Sequence, residues 1–477
     1  MNQILKDFEK MKRIAYGYAK KQEWDKALKT IFFASGFMFN MNQILYDADL
    51  EKLLEDIARE NVILSRKKEK KENTLLYYDS FGQAKRGLTQ IYLKGLSKLG
   101  FHILYVTFQI YDRVKQDVLP YVKEEDMYFV SNDTPLNQMK ELVEIVEESG
   151  AERIFMYLMP DDVVAVGAFS LFAGQIKRYQ INLTDHAFWL GKNISDVVMN
   201  FRKFGTKVCS QYRGIEKGKN VYLPYYPGNV STEYLGLDFV DNSKPFMFSG
   251  GNLYKTHSKD GIFYKLIRQM LEAYDVNFAY FGDGDAKEMM RLCKEYPGRI
   301  IFSRERTDFF EVLKRSTVYL STYPYNGGLM TQYALLAKKV PVTLCCDGIE
   351  PELTINHENT FWNLNSVEEV LEEIGRLLKD ADYRRKQESR LEEFIIDEEQ
   401  FAIELASILK ENVCLRDVED QKVDMNGFVE HPRWYYQGLR YNRLFFRRDG
   451  FFFLHFFPVR YMTGAVGRIL ERIYNGK

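Results

Sequence analysis

The chain has no apolar run long enough to cross a membrane, and this absence excludes a whole class of proteins. A transmembrane helix needs roughly 18 or more consecutive apolar residues, and the 477 residues contain no such run. The first residues, Met1 to Asp7, also lack the apolar segment of a signal peptide. These features predict a cytosolic globular protein.

The chain also has few cysteines and almost no net charge. The chain has five cysteines, none of them in a CxxC pair, which argues against a disulfide framework or a zinc site. Its formal net charge is −1, so bulk electrostatics give no reason to expect a nucleic-acid partner. The length is too great for one hydrophobic core and predicts two or three domains.

The first 65 residues have apolar positions at helical spacing, as at Trp24, Ala27, Leu28 and Ile31. A charged run over 66–72 follows and marks a boundary. No repeat of about 34 residues continues the pattern. We therefore predict a helical N-terminal region over 1–72, acting as a cap or an oligomerisation element.

From residue 73 onward, short apolar strands alternate with amphipathic helices. Continuous rather than alternating hydrophobicity in such strands indicates parallel sheets covered on both faces. The predicted strands are Thr74–Tyr78, Phe101–Thr107, Tyr128–Val130, Arg153–Leu158, Tyr179–Leu183, Val208–Cys209, Val221–Tyr222, Phe246–Ser249, Asn277–Phe281, Arg299–Phe302, Val318–Leu320, Val342–Leu344 and a short piece near Phe361.

A polar break over 241–245 divides these strands into two series. The pattern predicts an α/β protein with two Rossmann-like, doubly wound domains, over 73–241 and 242–412, and an extension over 413–477. Ligands of such domains bind at the carboxyl ends of the strands. The cleft between the two domains is therefore the expected site.

Two glycine turns in the second series each end a strand and precede a helical stretch. The first contains Ser249, Gly250, Gly251 and Asn252, with Lys255 shortly after. The second contains Asn326, Gly327, Gly328 and Leu329. Bare backbone N–H groups and helix N-termini of this kind bind phosphate. The pair predicts a nucleotide-sugar diphosphate held between the turns, with Lys255 as a mobile cation.

A carboxylate and an imidazole stand next to each other after a strand of the first series, at Asp185 and His186. This is where a general base is expected to lie. The alternative is a structural pair in which Asp185 caps a helix. Both interpretations remain open from the sequence.

These motifs together resemble glycosyltransferases of the GT-B architecture over roughly residues 74–410. Asn252-Leu253-Tyr254-Lys255 resembles a stretch of the O-GlcNAc-transferase-like group whose lysine contacts the diphosphate. Phe188-Trp189-Leu190-Gly191 resembles that group's acceptor-side turn. The stretch from Tyr325 through Gly328 into a helix resembles its donor-binding helix, although Leu329–Ala334 lacks the carboxylate that usually holds the ribose.

The resemblance implies roles for further residues. The loop after the first strand, with Gly82, Arg86 and Gly87, is expected to face the acceptor. Arg304 lies where a nucleotide base is commonly held, although a solvated charged loop is the alternative. GT-B enzymes need no bound metal, so neither a metal nor a cofactor is expected. The glycine turn at Asp283 and Asp285 is then only a turn.

The function predicted from these features is transfer of a hexosyl or N-acetylhexosaminyl group from a nucleotide sugar to a glycan or protein acceptor. The nucleotide expected in the donor is UDP. A catalytically silent GT-B subunit is the first alternative, because the helix carboxylate is missing. A sugar-nucleotide epimerase on the same scaffold is a weaker one.

The C-terminal tail is basic and aromatic. Residues 431–477 contain nine arginines and lysines against two acidic residues, a net charge of +7, together with the run Phe451–Phe457. This composition favours peripheral contact with an anionic membrane at its inner face. The alternative is that the tail packs on the N-terminal helices or on another subunit.

Overall fold

The computed structural model describes residues 3–65, 69–82, 87–108, 112–228, 231–258, 260–304, 306–346, 360–411, 413–418, 422–423, 442, 444–446 and 450–474. The α-helices are α1 Gln3–Lys20, α2 Trp24–Met41, α3 Ala48–Asn61, α4 Gly87–Lys98, α5 Asp112–Val118, α6 Pro135–Ser149, α7 Val163–Ser170, α8 Lys203–Arg213, α9 Ile262–Ala273, α10 Lys287–Glu295, α11 Phe309–Arg315, α12 Gly328–Leu336, α13 Val367–Lys379, α14 Ala381–Ser389, α15 Glu398–Glu411 and α16 Pro458–Tyr474. Short 3-10 helices span Glu124–Asp126, Lys217–Lys219, Leu253–Thr256, Arg390–Phe394 and Gly450–Phe453.

Two parallel sheets organise the molecule. The first contains β1 Thr74–Asp79, β2 His102–Thr107, β3 Met127–Phe129, β4 Arg153–Tyr157, β5 Lys177–Asn182, β6 Val197–Asn200 and β7 Asn220–Tyr222. The second contains β8 Phe246–Gly250, β9 Asn277–Phe281, β10 Ile300–Ser303, β11 Val318–Leu320, β12 Pro341–Leu344 and β13 Asn363–Leu364. The predicted α/β class with two Rossmann-like sheets is confirmed.

Strand order places the binding crevice in each sheet. The first sheet runs β3-β2-β1-β4-β5-β6-β7 and the second β10-β9-β8-β11-β12-β13. In both, the order reverses beside the first strand, between β1 and β4 and between β8 and β11. Open parallel sheets bind ligands outside the carboxyl ends of the strands at such switch points. The loop after β1 and the glycine turns after β8 and β11 occupy these positions.

One predicted strand is wrong. Val208 and Cys209 lie in helix α8, and the strand at this point of the sheet is β6, Val197–Asn200. Both residues are buried on the inward face of that helix. A pair of apolar residues has the same signature in a buried helix as in a short strand, so the pattern alone could not separate the two.

The N-terminal helices are part of the first domain's core. Buried residues of α1, α2 and α3 belong to one cluster with strand residues Leu76, Ile154 and Met156. Helix α15 also returns to this domain, where Phe401 and Leu405 pack against Gly95 of α4. The chain thus crosses from the first domain to the second and back again, which ties the two halves together on one side.

The aromatic part of the tail packs on the N-terminal helices. Phe453 stacks on Phe33 with ring centroids 3.9 Å apart, and Phe445 contacts both Phe33 and Phe37. Phe445, Phe453 and Phe457 are buried. This is the packing alternative of the sequence analysis, so these aromatic rings do not form the membrane surface that was favoured there. Residues 431–441 lie outside the described residues.

No described helix combines the length and apolarity that crossing a bilayer requires. All five cysteines lie within the described ranges, and none of them forms a disulfide.

Candidate active site

The first glycine turn opens from the end of β8. Ser249 and Gly250 are buried where the strand ends, and their contact with a donor remains a prediction. Gly251 has a φ of +127°, which favours glycine, and a Cβ there would meet no atom within 4 Å. Asn252 accepts a hydrogen bond from the Tyr254 N–H at 3.2 Å and starts the 3-10 helix that carries Lys255. The turn therefore presents open backbone and a lysine to the crevice.

The second turn leads into helix α12. Asn326 is buried, and its Nδ2 donates to Thr331 Oγ1 at 3.3 Å. Gly327 is the N-cap residue and has no side chain to cap the helix, while Gly328 and Leu329 form its half-buried first turn. Uncapped N–H groups at a helix N-terminus need an acceptor from water or a ligand, and the helix dipole favours an anion there.

Lys255 lies between the two turns. Its Nζ is 3.4 Å from the position that a Cβ on Gly327 would take, and its carbonyl accepts a hydrogen bond from the Tyr325 N–H at 3.4 Å. Within the described part of the chain, no group accepts a hydrogen bond from this ammonium or forms an ion pair with it. Burial, with a smaller contribution from the nearby Arg202, lowers the pKa of Lys255 to about 8. A half-buried ammonium without a counter-ion marks an anion site.

The first domain faces these turns through the loop after β1. The buried Asp79 carboxylate holds the start of this loop, because its Oδ1 accepts the N–H groups of Phe81 and Gly82 at 2.9 and 3.2 Å. At the other end of the loop, a Cβ on Gly87 would lie 3.8 Å from Leu329 of α12. The predicted acceptor-side loop is therefore opposite the N-terminus of the donor helix. Arg86 lies outside the described residues.

Asp185 and His186 form a hydrogen-bonded pair at the carboxyl edge of the first sheet, after β5. His186 Nδ1 is 3.1 Å from Asp185 Oδ1, and Asp185 Oδ2 accepts from Arg202 Nε at 2.9 Å. Burial by itself raises the pKa of Asp185, but the Arg202 charge and the His186 contact outweigh it and bring the pKa to about 2. Asp185 is thus a permanent carboxylate that orients His186, whose ring is more than one-third exposed.

Arg202 is the residue here that the sequence analysis missed. It reaches Asp185 with its guanidinium and also contributes to the lowered pKa of Lys255. It therefore adds positive charge from the first domain to the Lys255 site of the second. The sequence gives no motif for it, because it is distant from both partners along the chain.

The N-terminal helices hold the loop that carries His186. Glu51 of α3 is buried, and its carboxylate accepts the backbone N–H groups of Gly191, Lys192 and Asn193 at 2.9, 3.0 and 2.7 Å. Burial raises the pKa of Glu51, and these three hydrogen bonds oppose that rise. Asn42 Nδ2 also donates to the His186 carbonyl at 3.0 Å. The helical region predicted as a cap thus positions a candidate catalytic loop.

Replacing Glu51 with Ala should disturb this loop. Three buried N–H groups would lose their acceptor, and one unsatisfied buried group costs about 1–3 kcal/mol. We expect a melting temperature lower by several degrees and a slower rate of the transfer predicted from the sequence, with the predicted nucleotide affinity unchanged because Lys255 belongs to the other sheet. Glu60→Ala, at an exposed position of the same helix, is the control. A Glu51→Ala protein with unaltered melting and rate would contradict the assignment.

Trp189 follows in the same loop but faces inward. Its indole is almost fully buried, in a cluster with Val198, Cys209 and Ile215. The Arg213 guanidinium lies 5.0 Å from the ring centre and donates to the Asp185 and Ala187 carbonyls. Trp189 therefore supports the turn from within, and its role on the acceptor side remains a prediction.

Arg304 lies at the carboxyl end of β10, two strands away from β8. It is exposed and donates to Asp283 Oδ1 at 2.6 Å and to the Gly284 carbonyl at 3.0 Å. The structure does not bring it to Lys255, so its contact with a nucleotide base remains a prediction. Among the described residues no three His, Cys, Asp or Glu side chains form a metal-binding group, and metal independence also remains a prediction.

Comparison with known proteins gives the fold a name. No family profile matches the chain, and no curated protein does. Among solved structures, a glycosyltransferase from Rickettsia africae aligns over 71% of this chain and 98% of its own, with a TM-score of 0.53 and 14% identity. Anabaena HepE, in complex with UDP and glucose, aligns over 71% and 99%, with a TM-score of 0.51 and 12% identity.

The UDP-GlcNAc 2-epimerase of Neisseria meningitidis, bound to UDP-GlcNAc, aligns over 71% of this chain and 100% of its own, with a TM-score of 0.50 and 11% identity. These likenesses, together with the two parallel sheets, show that the chain has the GT-B fold. Identities this low establish the fold and nothing finer. The resemblance to the O-GlcNAc-transferase-like group remains a prediction.

Proposed function

We propose that the protein is a glycosyltransferase that takes a hexosyl or N-acetylhexosaminyl group from a UDP-linked donor. The observation that carries this proposal is Lys255, an ammonium without a counter-ion between two glycine turns at a switch point of the sheet. A diphosphate supplies the missing negative charge. Structures of the same fold that contain UDP or UDP-GlcNAc support a nucleotide sugar as the ligand.

The chemistry depends on the leaving group. When the glycosidic bond to the diphosphate breaks, negative charge grows on the phosphate oxygens. Preorganised positive groups aimed at that charge stabilise the transition state. In this mechanism Lys255 and the N–H groups at the start of α12 stabilise that charge, and no metal is needed. The helix end alone contributes about 0.3–2 kcal/mol, so Lys255 carries the larger share.

In this proposal His186 is the general base that activates the acceptor. Asp185 contacts the ring at Nδ1 and orients it, and we assign to Nε2 the proton of an acceptor hydroxyl. The acceptor, a glycan or a protein side chain, would enter from the first domain, beside the loop between Gly82 and Gly87. Because Asp185 is paired with Arg202, it is an orienting group rather than the base.

Two other functions have an observation in their favour. Helix α12 begins with Leu329, Met330, Thr331 and Gln332 and supplies no carboxylate for a ribose, which favours a silent subunit that binds acceptor or stabilises a partner. The shared fold of a UDP-GlcNAc 2-epimerase favours donor isomerisation. A thermal-shift panel of UDP, GDP, CMP and dTDP compounds identifies the nucleotide. Incubation with the matching donors then separates hydrolysis or transfer from epimerisation and from binding alone.

Replacing Gly327 with Val should weaken nucleotide binding. A Cβ at this position already lies 3.4 Å from Lys255 Nζ and from two atoms of Met330, so the additional methyl groups would displace the ammonium. We expect UDP to bind roughly tenfold more weakly or worse, the loss of about 1–2 kcal/mol from a helix-end contact. Gly218→Val is the control, since a Cβ there meets nothing within 4 Å. Equal stabilisation of the Gly327 variant by UDP would make the second turn purely structural.

A further inference from the structure

Helix α16 presents an apolar face to solvent. Val459, Met462, Val466 and Ile469 are 74%, 56%, 51% and 59% exposed. Their spacing of three, four and three residues places them on one side of the helix. We call these four residues the α16 stripe. An outward face of a surface helix is normally polar, and nothing in the described part of the chain covers this stripe.

The opposite face of α16 is anchored to the protein. Tyr461 is buried, and Arg460 Nε forms an ion pair with Asp7 of α1 at 3.3 Å. Just before the helix, the Phe456 carbonyl accepts a hydrogen bond from Lys10 at 2.5 Å. The helix is therefore fixed against α1 with its apolar side directed away from the core.

Helix α1 adds a basic strip beside this face. Lys6, Lys10, Arg13 and Lys20 are exposed at helical spacing, and we call them the α1 strip. Lys10 lies next to the start of α16, because it donates to Phe456 and contacts the Phe457 ring at 4.5 Å. No acidic side chain in the described ranges forms an ion pair with Lys6, Arg13 or Lys20.

We propose that the α16 stripe and the α1 strip form one surface that docks on an anionic lipid membrane. Interfacial helices bind by burying an apolar face at the headgroup boundary while neighbouring cations meet anionic lipids. This surface differs from the one expected from composition, since the tail's phenylalanines Phe445, Phe453 and Phe457 are buried. In the proposed surface, the four residues of the α16 stripe supply the apolar contact that the phenylalanines were expected to supply.

Charge also decides between lipid and a second copy of the chain. A two-fold contact through α16 would place the same patch of both copies together. It would bring the two α1 strips, with their exposed lysines and arginine, close to each other at a repulsive cost. An anionic surface removes that cost. Because α1 and α3 belong to the first domain's core, docking would hold the acceptor half of the protein at the membrane.

The test uses the full-length protein and vesicles of phosphatidylcholine, with or without phosphatidylglycerol, and needs no donor. It is therefore independent of the proposed transfer. We expect co-sedimentation with the anionic vesicles only, and release as salt rises, since the Debye length is about 8 Å at physiological ionic strength. Lys6→Gln with Arg13→Gln should weaken partitioning by roughly fivefold for each charge removed.

Val466→Glu with Ile469→Glu should abolish the binding, whereas Ile403→Glu, at a residue of α15 that is 51% exposed, should leave it unchanged. Circular dichroism checks the fold of each variant, and the strip variant tests the surface without altering α16. Wild-type protein that ignores anionic vesicles would overturn the proposal. So would a stripe variant that binds like the wild type, or one that changes only from dimer to monomer in light scattering.

Discussion

Replacement of Lys255 with Ala is expected to reduce glycosyl transfer by about 10²-fold or more while leaving the protein folded. The side chain makes no ion pair within the described chain and is only half-buried, so little packing is lost. In the proposed mechanism its removal takes away a charge that neutralises the departing diphosphate, and loss of a single preorganised contact of this kind costs about 10²–10³ in rate. Single-turnover transfer assays measure the effect. Lys294→Ala, at an exposed position of α10, is the control.

The pH dependence gives a second readout for the same residue. The pKa of Lys255 is about 8 in the free protein, so the ammonium is charged below that pH and becomes neutral above it. UDP affinity should therefore fall as the pH rises through about 8, by up to about tenfold per pH unit for one linked proton. Lys255→Arg stays charged and should flatten this profile. Full transfer activity in a folded Lys255→Ala protein would remove the residue from the mechanism.

The sequence predicted the features that depend on local patterns. The strands Phe246–Ser249 and Val318–Leu320 are short and apolar, each leads into a turn that contains glycine, and both recur in the structure with nearly the same bounds. Because parallel strands end at the same edge of a sheet, their two turns had to lie near each other. The closeness of Lys255 and Gly327 follows from this topology.

Contacts between distant segments could not be predicted in the same way. Glu51 and Gly191 are 140 residues apart, and nothing in the spacing of α3 indicates that one of its carboxylates accepts three N–H groups of another loop. Arg202 and Asp185 are likewise paired only by the fold. The contact with Arg202 is the basis for proposing Asp185 as an orienting anion, a point that the adjacent Asp-His pair alone leaves open.

The tail shows what composition leaves undetermined. Its phenylalanines were expected at a surface because they occur among basic residues, yet Phe453 stacks on Phe33 in the core. Composition counts residues without assigning them to faces. Helical periodicity does assign residues to faces, and in α16 it places Val459, Met462, Val466 and Ile469 on the outward face.

Replacement of His186 with Ala is expected to separate binding from chemistry. Transfer should fall by about 10²–10⁴-fold, the usual contribution of a positioned general base. UDP affinity should stay that of the wild type, because the proposed diphosphate contacts lie in the second domain and Arg202 keeps its hydrogen bond to Asp185. Isothermal titration measures the affinity, and transfer assays with the best donor measure the rate. His102→Ala, at an exposed residue on β2 that pairs with Asp126, controls for loss of an imidazole elsewhere.

The Asp185 variant sharpens the interpretation of that result. Asp185→Asn keeps the shape of the side chain but removes the charge that holds both His186 and Arg202. If His186 is the base and Asp185 its orienting partner, this change should reduce the rate less than His186→Ala does, and the combination should be no worse than His186→Ala alone. An unaltered rate in His186→Ala, together with a large loss in Asp185→Asn, would instead assign the dyad to holding Arg202 beside Lys255 and leave acceptor activation to another group.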